Sequence, residues 1–326
     1  AGATGYAEIK RALPATLRSR YRAGSVAKPI TAVAMIGLVD AGKLVLAAPI
    51  STYVEGAPTH LQSLTAKLPA SHRAGERHCR RTSAWWMGWH ENYSNHQYDT
   101  VAAGLTMVVE DALRCAPGTG FQYTTSAYSL LLRDLGGAAD QDFASLLDTW
   151  VFEPVGMLDT GVDIAAPMPV RMAFHQGEDG RCTPPYPYDS SYRISGGGLV
   201  TTPIDLVHLG PALLGKELLS KAATRELWTP LGLADGSKKP ENYASGWRVD
   251  DSVRLLGEVR PVPILHHGGT QPGAAAFFVL LPEHGIVVAA MSDSGASGAR
   301  AEVQKAVHAL ARLARAQIEA SLCKER

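Results

Sequence analysis

The sequence predicts a mixed α/β (α+β) chain: an antiparallel sheet flanked by helices, with a mainly helical region inserted between the segments that build it. Three observations predict it. Near the C-terminus two apolar runs, "AAAFFVLLP" and "GIVVAAMSD", flank the turn "PEHG", which signals a hairpin. The stretch "GARAEVQKAVHALARLARAQIEASL" that follows repeats apolar residues at helical spacing. Between about 55 and 195, by contrast, Pro- and Gly-marked loops alternate with helical patches. On this reading 1–54 and 195–326 form the sheet-bearing unit, and 55–194 the inserted helical one.

In chain order, "ITAVAMIGLVDAGKL" places Ile30, Val33, Ala34, Leu38 and Val39 at roughly the spacing of one helix face, and Gly42 supplies the stop. Pro29 fits the first turn, where its missing N–H removes no intrahelical bond, so the helix starts close to Ser25. "AAPISTYV" reads as an extended exit. In the inserted region "SAWWMGWHENY" is an aromatic cluster, while "DTVAAGLTMVVEDAL" and "SAYSLLLRDLGG" read as helices. A third helix, "DFASLLDTWVF", ends before "EPVGM", and "RCTPPYPYDSSYRISGGG" reads as loop. Helix resumes in "TPIDLVHLGPALLG" and "SKAATRELWTPL", capped by Thr202 and Ser220. The last helix puts Val303, Val307, Leu310, Leu313, Ala314 and Ile318 on one face, able to cover the hairpin's sheet.

The 326 residues are enough for one large domain or two smaller ones. Basic and acidic residues balance at 31 each, which points away from nucleic acid and from acidic membrane surfaces. No apolar run reaches the ~20 residues of a membrane helix. Basic residues interrupt the apolar stretches of the N-terminal segment, so it carries no signal-peptide pattern. Cys79, Cys115, Cys182 and Cys323 lie far apart and suit free thiols better than disulfides or a zinc site.

Three short motifs carry chemistry. In "GSVAKPITA" Ser25 and Lys28 stand three apart at a helix start, where i and i+3 share a face. A serine hydroxyl needs a base, and a lysine becomes one once its surroundings favour the neutral amine. The plainer alternative is a capping serine followed by a surface lysine. In "PGTGFQYTTSAYSLL" Tyr123 and Thr125 can supply a proton shuttle and a hydrogen-bond donor, or else Tyr123 merely packs at a helix entry capped by Thr125 or Ser126. In "ILHHGGTQPG" glycines ahead of an apolar strand let a substrate approach the strand edge, beside a histidine that can donate. That motif also reads as a turn with a structural histidine.

Taken together, in this order and at these intervals, the motifs resemble the penicillin-binding protein and serine β-lactamase superfamily, of which S-x-x-K is a marker. The details resemble its class C β-lactamase branch, which includes esterases and D-alanyl peptidases. The resemblance runs from about Gly5 to Met291, through "ASHRAGERH", "FEPVGMLDT", "YRISGGGLVTTPIDL" and "HHGGTQPGAAAFFVLLPEHGIVV". The Tyr-Thr-Thr motif and "YDSSYRISGGG" are most similar to the mitochondrial serine β-lactamase-like subgroup.

The resemblance implies a β-lactamase/transpeptidase-like fold, with Ser25 as acylated nucleophile, Lys28 as its base and Tyr123 as proton relay. Thr125 stands where many relatives have an asparagine that contacts a substrate amide. His267, Gly268 and Gly269 replace a Lys-Thr-Gly triad, with His266 competing for the histidine's register. The oxyanion hole falls to the N–H groups of Ser25 and Thr270. A histidine in place of lysine holds a substrate carboxylate less firmly, which shifts weight toward esters and peptides. Relatives also place a helix and two strands ahead of the nucleophile, whereas 24 residues precede Ser25 here. "TGYAEI" resembles the end of the second of those strands. Either they lie outside this sequence or the sheet is completed differently, and without them its edge is open.

The expected function is a serine acyl-enzyme hydrolase of β-lactam amides or small esters, with a D-alanyl-type peptidase as the alternative. A penicillin-sensing or filament-forming scaffold is the reading from another class. No cofactor and no metal is implied; a zinc hydrolase built from His72, His78, His90 and His96 lacks tight ligand spacing. Expected partners are a small-molecule or peptide substrate and, through the family, a homo-oligomer and an extracytoplasmic location.

Overall fold

A computed structural model describes residues 1–55, 57–76, 96–98, 103–104, 112–163, 172, 176–178, 181–183, 189–236, 242–257, 260–294 and 298–324. Its main sheet is antiparallel, in the order β11 (Ile286–Ser292), β10 (Ala274–Leu281), β9 (Val262–Gln271), β8 (Arg248–Ser252). The hairpin forms as the sequence predicts. Leu281 pairs with Ile286 across a 3-10 turn at Pro282–His284, closed by Gly285 at φ +61°. Every residue of β10 is buried, because helices cover both faces of the strand. Ala276, Phe278 and Leu280 point into one core, and Ala275, Phe277, Val279 and Leu281 into a second.

Helix α1 (Ala27–Asp40) occupies the first core. The sequence reads one apolar face, yet Ala27 to Leu38 are all buried. The reason is its place in the fold. It packs against α3 (Thr125–Ala139), α6 (Ile194–Gly197), α8 (Lys221–Trp228) and the π-helical turn Asp148–Phe152, which together surround it. Its end is the predicted one: Gly42 sits at φ +70°, and Lys43 N–H donates back to Leu38 O at 2.9 Å, closing a Schellman turn.

Several other expectations need correcting. The "extended exit" is a 3-10 turn at Ile50–Thr52, where Ile50 N–H donates to Leu64 O at 2.6 Å, and the short helix α2 (Lys67–Ala70) follows. The helix α4 (Phe143–Leu147) runs on through the π turn into α5 (Glu153–Val155), past the predicted end, and Gly156, at φ +71°, stops it. The expected loop 181–198 opens with a short strand, β6 (Arg181–Thr183), which pairs with β5 (Gln176–Glu178) just ahead of it, and later holds helical turns at Ser191–Arg193 and α6. "SAWWMGWHENY" and most of "DTVAAGLTMVVEDAL" lie outside the described residues.

The last helix, α9 (Ala299–Lys324), buries Val303, Val307 and Ala311, with Ala314 against the same core. Leu310, Leu313 and Ile318 are exposed instead, at 44%, 60% and 39%. The two alanines allow close approach to the sheet along a narrow stripe; Leu313 sits roughly 115° around the helix from its centre and Leu310 about 55° off it, at its edge. Both predicted caps form: Thr202 accepts from Asp205 N–H at the start of α7 (Pro203–Leu214), and Ser220 from Ala223 N–H at the start of α8.

The N-terminal segment forms strands β1 (Tyr6–Glu8) and β2 (Leu13–Pro14), which pair with each other, so "TGYAEI" does become a strand outside the main sheet. Strand β3 (Tyr21–Arg22) pairs with β7 (Leu199–Thr201), which also pairs with β4 (Gly161–Val162). Arg22 Nε donates to Asp163 Oδ2 at 2.8 Å, a buried pair that fixes the chain just ahead of Ser25. Cys115 is a free, half-buried thiol. No helix among the described residues is long and apolar enough to cross a membrane.

Two buried carboxyl groups yield a pH-dependent stability. Burial pushes Glu76 up from 4.5 to about 7, with a backbone hydrogen bond opposing; burial also pushes Asp134 well up, Arg133 opposing and Glu76 adding to it. A raised folded pKa stabilises fully below the unfolded value, and that contribution is lost as pH rises through about 7. Glu76→Gln should therefore match the parent near pH 5 and exceed its stability by about 1–2 kcal/mol near pH 8. Urea midpoints at both pH values check this; an equal difference at the two would refute it.

Candidate active site

The site begins where β3 hands over to α1. Ala23 N–H donates to Leu199 O at 2.8 Å, and the chain then turns tightly through Gly24–Val26. Gly24 takes φ +52°, and a Cβ there would lie 2.9 Å from Thr270 N, so a side chain is excluded on both counts. Ser25 follows, half-buried. Lys28, in the first turn of α1, is fully buried. Its Nζ donates to Ser25 Oγ at 3.0 Å and to Gly196 O at 2.6 Å. The same nitrogen lies 4.9 Å from the Tyr123 ring centroid and 5.5 Å from that of Tyr128. Lys28 is thus no surface lysine, and Ser25 caps nothing through its side chain.

Gly196 is available as an acceptor because α6 is sewn to its neighbours. Thr31 Oγ1 donates to Ser195 O at 2.7 Å, Ser195 Oγ to Tyr128 O at 2.6 Å, and Gln271 Nε2 to Gly197 O. The glycines of "SGGG" are there for close approach. A Cβ on Gly196 would meet Thr125 Cγ2 at 2.8 Å, and one on Gly198 would meet Ile194 Cα at 2.8 Å.

Tyr123 lies in the loop before α3, whose cap is Thr124, accepting from Ser126 N–H at 3.0 Å, rather than Thr125 or Ser126. The Tyr123 side chain lines the same cleft as Ser25 and interacts with it. Burial pushes this phenol up to about 12, with the Ser25 interaction and the charges of Arg248 and Arg300 opposing. It therefore keeps its proton at neutral pH. Thr125 sits in the first turn of α3, its methyl against Gly196 and away from the cleft lining.

Strand β9 closes the site. A Cβ on Gly269 would stand 2.1 Å from Ala23 O and 3.0 Å from Ser25 N, so the strand lies directly against the nucleophile turn. His267 is buried, its Nδ1 2.7 Å from Gly268 O and its Nε2 3.0 Å from Tyr243 Oη. The carbonyl requires a proton on Nδ1, so Nε2 accepts from the tyrosine. Burial, and next the charge of Lys28, hold this imidazole well below its usual range, the Gly268 bond opposing. His266 pairs instead with Asp250 through Nε2 at 2.8 Å and stacks on Phe277. The ring of His267, not His266, lies beside Tyr123, at 6.1 Å between centroids.

These groups open onto a cleft of about 380 Å³ lined by Ser25, Tyr123, Thr270, Arg248, Arg300 and Gln304, among others, none of them acidic. Sequence reasoning missed Tyr243, Arg248 and Arg300. Arg248 begins β8 opposite His266, and its guanidinium lies 5.9 Å from the Tyr123 ring centroid and 5.6 Å from that of Tyr243. "YASGW" carried a local hint: Gly246 takes φ +74° against Lys28 O, where any Cβ would be 2.6 Å away. Among the described residues no three His, Cys, Asp or Glu side chains group to hold a metal. Of the four histidines weighed for zinc, His78 and His90 lie outside the described residues, His72 is buried among aromatic rings, and His96 meets Tyr98 edge to face.

A family model described as β-lactamase matches residues 1–313. The mitochondrial serine β-lactamase-like protein LACTB of Bos taurus is 24% identical over 367 residues, covering 86% of this chain and 65% of that protein. Penicillin-binding protein 4* of Bacillus subtilis (strain 168) is 24% identical over 296 residues, covering 86% of this chain and 62% of that one. The chain thus spans less than two thirds of the length of these curated relatives. Among solved structures, a penicillin-binding protein from Bacillus halodurans superposes with a TM-score of 0.77 at 22% identity, covering 95% of this chain and 91% of that one.

Proposed function

The chain belongs to the β-lactamase family, whose members are serine hydrolases, and from that premise we propose that it is an acyl-enzyme hydrolase with Ser25 as nucleophile. The observation that carries the reading is the buried Lys28 amine, 3.0 Å from Ser25 Oγ and 4.9 Å from the centre of the Tyr123 ring, which lines the same cleft. Lys28, once it has lost its own proton, takes the Ser25 proton while Oγ adds to the substrate carbonyl. The resulting oxyanion is received by the N–H groups of Ser25 and Thr270, which the close contact of Gly269 with the nucleophile turn brings to one place. On collapse the carbonyl re-forms, the C–N or C–O bond breaks, and the leaving group takes a proton through Tyr123. Water then adds to the acyl-enzyme and loses a proton to the same pair of residues. The acid departs and Ser25 is regenerated. Because Tyr123 holds its proton at neutral pH, its part is to donate and relay, with Lys28 as the base. His267, Gly268 and Gly269 form the strand edge that faces the acyl group, and Thr125, packed against Gly196, stands next to it.

The substrate class we favour is an amide or ester that bears a carboxylate on the leaving-group side of the scissile bond, as a β-lactam or a C-terminal peptide bond does. His267 is buried and held toward its neutral form, but Arg248 and Arg300 both line the cleft and bring positive charge to it. A charge-assisted hydrogen bond to a carboxylate contributes about 1.5–3 kcal/mol, or roughly 10- to 100-fold. The test is turnover of a chromogenic cephalosporin against its carboxyl methyl ester, with a neutral p-nitrophenyl ester and a D-alanyl dipeptide alongside. We expect the free acid to exceed its methyl ester at least about tenfold in kcat/KM, and Arg248→Gln to narrow that ratio. Equal turnover of acid and methyl ester would remove the cationic-cleft reading. A stable acyl adduct without turnover would favour the penicillin-sensing scaffold.

A further inference from the structure

We propose that His72 is a positioning residue that sets the Tyr123 hydroxyl on Ser25; this rests on the acyl-enzyme reading of the site. The two neighbours of Tyr123 are both tied to this one residue. Gln122 N–H donates to His72 O at 2.9 Å, and Thr124 N–H donates to the ring Nδ1 at 3.3 Å. The His72 ring lies 4.3 Å from the Tyr123 ring, between centroids, and 4.8 Å and 5.4 Å from those of Tyr243 and Tyr128. It is buried, and its backbone takes φ +60°, a conformation that L residues rarely adopt.

That left-handed turn has a geometric consequence. It lets a single residue present its carbonyl and its own side chain to the same strand of loop, one on each side of Tyr123. Because Nδ1 accepts an N–H, the neutral ring carries its proton on Nε2. Holding Gln122 and Thr124 leaves Tyr123 no freedom to swing from Ser25 except by ring rotation, and its contacts with His72, Tyr243 and His267 limit that. Asparagine is the substitution that keeps most of this device. It tolerates positive φ, and its Oδ1 stands close to where the histidine Nδ1 stood. Phenylalanine keeps the ring and its packing but removes the acceptor.

The experiment is a double-mutant cycle between His72 and Tyr123 on the full chain, read as kcat and KM for a substrate that the parent turns over. His72→Phe should lower kcat about 10- to 100-fold with KM within about twofold, consistent with a loss of proton-relay efficiency. His72→Asn should retain most of the rate. In a Tyr123→Phe background, His72→Phe should cost no more than about threefold further, since there is then no hydroxyl to position. Losses that multiply, or an asparagine variant as impaired as the phenylalanine one, would overturn the proposal. If His72→Phe does not fold, His72→Gln, whose acceptor lies one bond further out, takes its place in the same cycle. Full activity in Tyr123→Phe would overturn the relay reading and this proposal together. Multiplicative losses with a strongly impaired Tyr123→Phe would overturn the role of His72 alone.

Discussion

Ser25→Ala is expected to lower turnover by about 10⁴-fold or more and to abolish the covalent adduct that intact-protein mass spectrometry detects in the parent. The size of the effect follows from what remains. Lys28 keeps its 2.6 Å bond to Gly196 O, and the backbone N–H groups around the nucleophile turn are untouched, so the variant still binds and polarises a substrate. What it lacks is the atom that forms the ester, and water in the same cleft has neither its position nor its contact with the base. Folding should change little, because the substitution removes one hydrogen bond worth about 1 kcal/mol. Lys28→Met should fall by a similar factor, since the nucleophile and the base act as a unit. Full turnover in Ser25→Ala, or acylation at any other residue, would sink the mechanism.

Whether Lys28 is a base or a surface charge was undecidable within "GSVAKPITA", and the reason is physical. Spacing puts the two side chains on one face of a helix but says nothing about what covers that face. The acceptor that fixes Lys28 is Gly196 O, supplied by a helical turn 168 residues away, and the rings around its amine come from α3 and its entry loop. Features set by a few adjacent residues were legible: the hairpin around Pro282–Gly285, the Schellman turn at Gly42, the caps at Thr202 and Ser220. The complete burial of α1 was not, because periodicity registers only one apolar face and cannot register two layers. Arg248 and Arg300 were missed for the same reason. Each sits in an ordinary segment, and only the pairing of β8 with β9 and the placement of α9 bring both to the cleft. His72 shows the limit most directly. The sequence offered it as a spare metal ligand, while its role depends on a left-handed backbone and on a loop some fifty residues downstream.

Gly269→Ala tests the contact that joins the two halves of the site. Its new methyl group would stand 2.1 Å from Ala23 O and 3.0 Å from Ser25 N, and both of those atoms are backbone. Neither can rotate away as a side-chain tip could. The carbonyl of Ala23 is followed at once by Gly24, whose own conformation and contact with Thr270 N leave no slack on the other side. Relief must come from β9 moving off the turn. That movement pulls against its pairing with β10 on one edge and β8 on the other. Overpacking a yielding core costs about 1–3 kcal/mol, and a contact between two backbones should cost at least the upper end of that range. Activity should fall further than stability explains. Separating Thr270 from Ser25 by even ~1 Å takes one donor out of reach of the oxyanion, a loss of about 10²–10³ in kcat. A variant that melts several degrees lower yet is still folded at assay temperature, with acylation slowed at least about 100-fold, is the expected result. A stable and fully active Gly269→Ala would mean that the strand does not hold the nucleophile turn, and the oxyanion assignment to Ser25 and Thr270 would go with it.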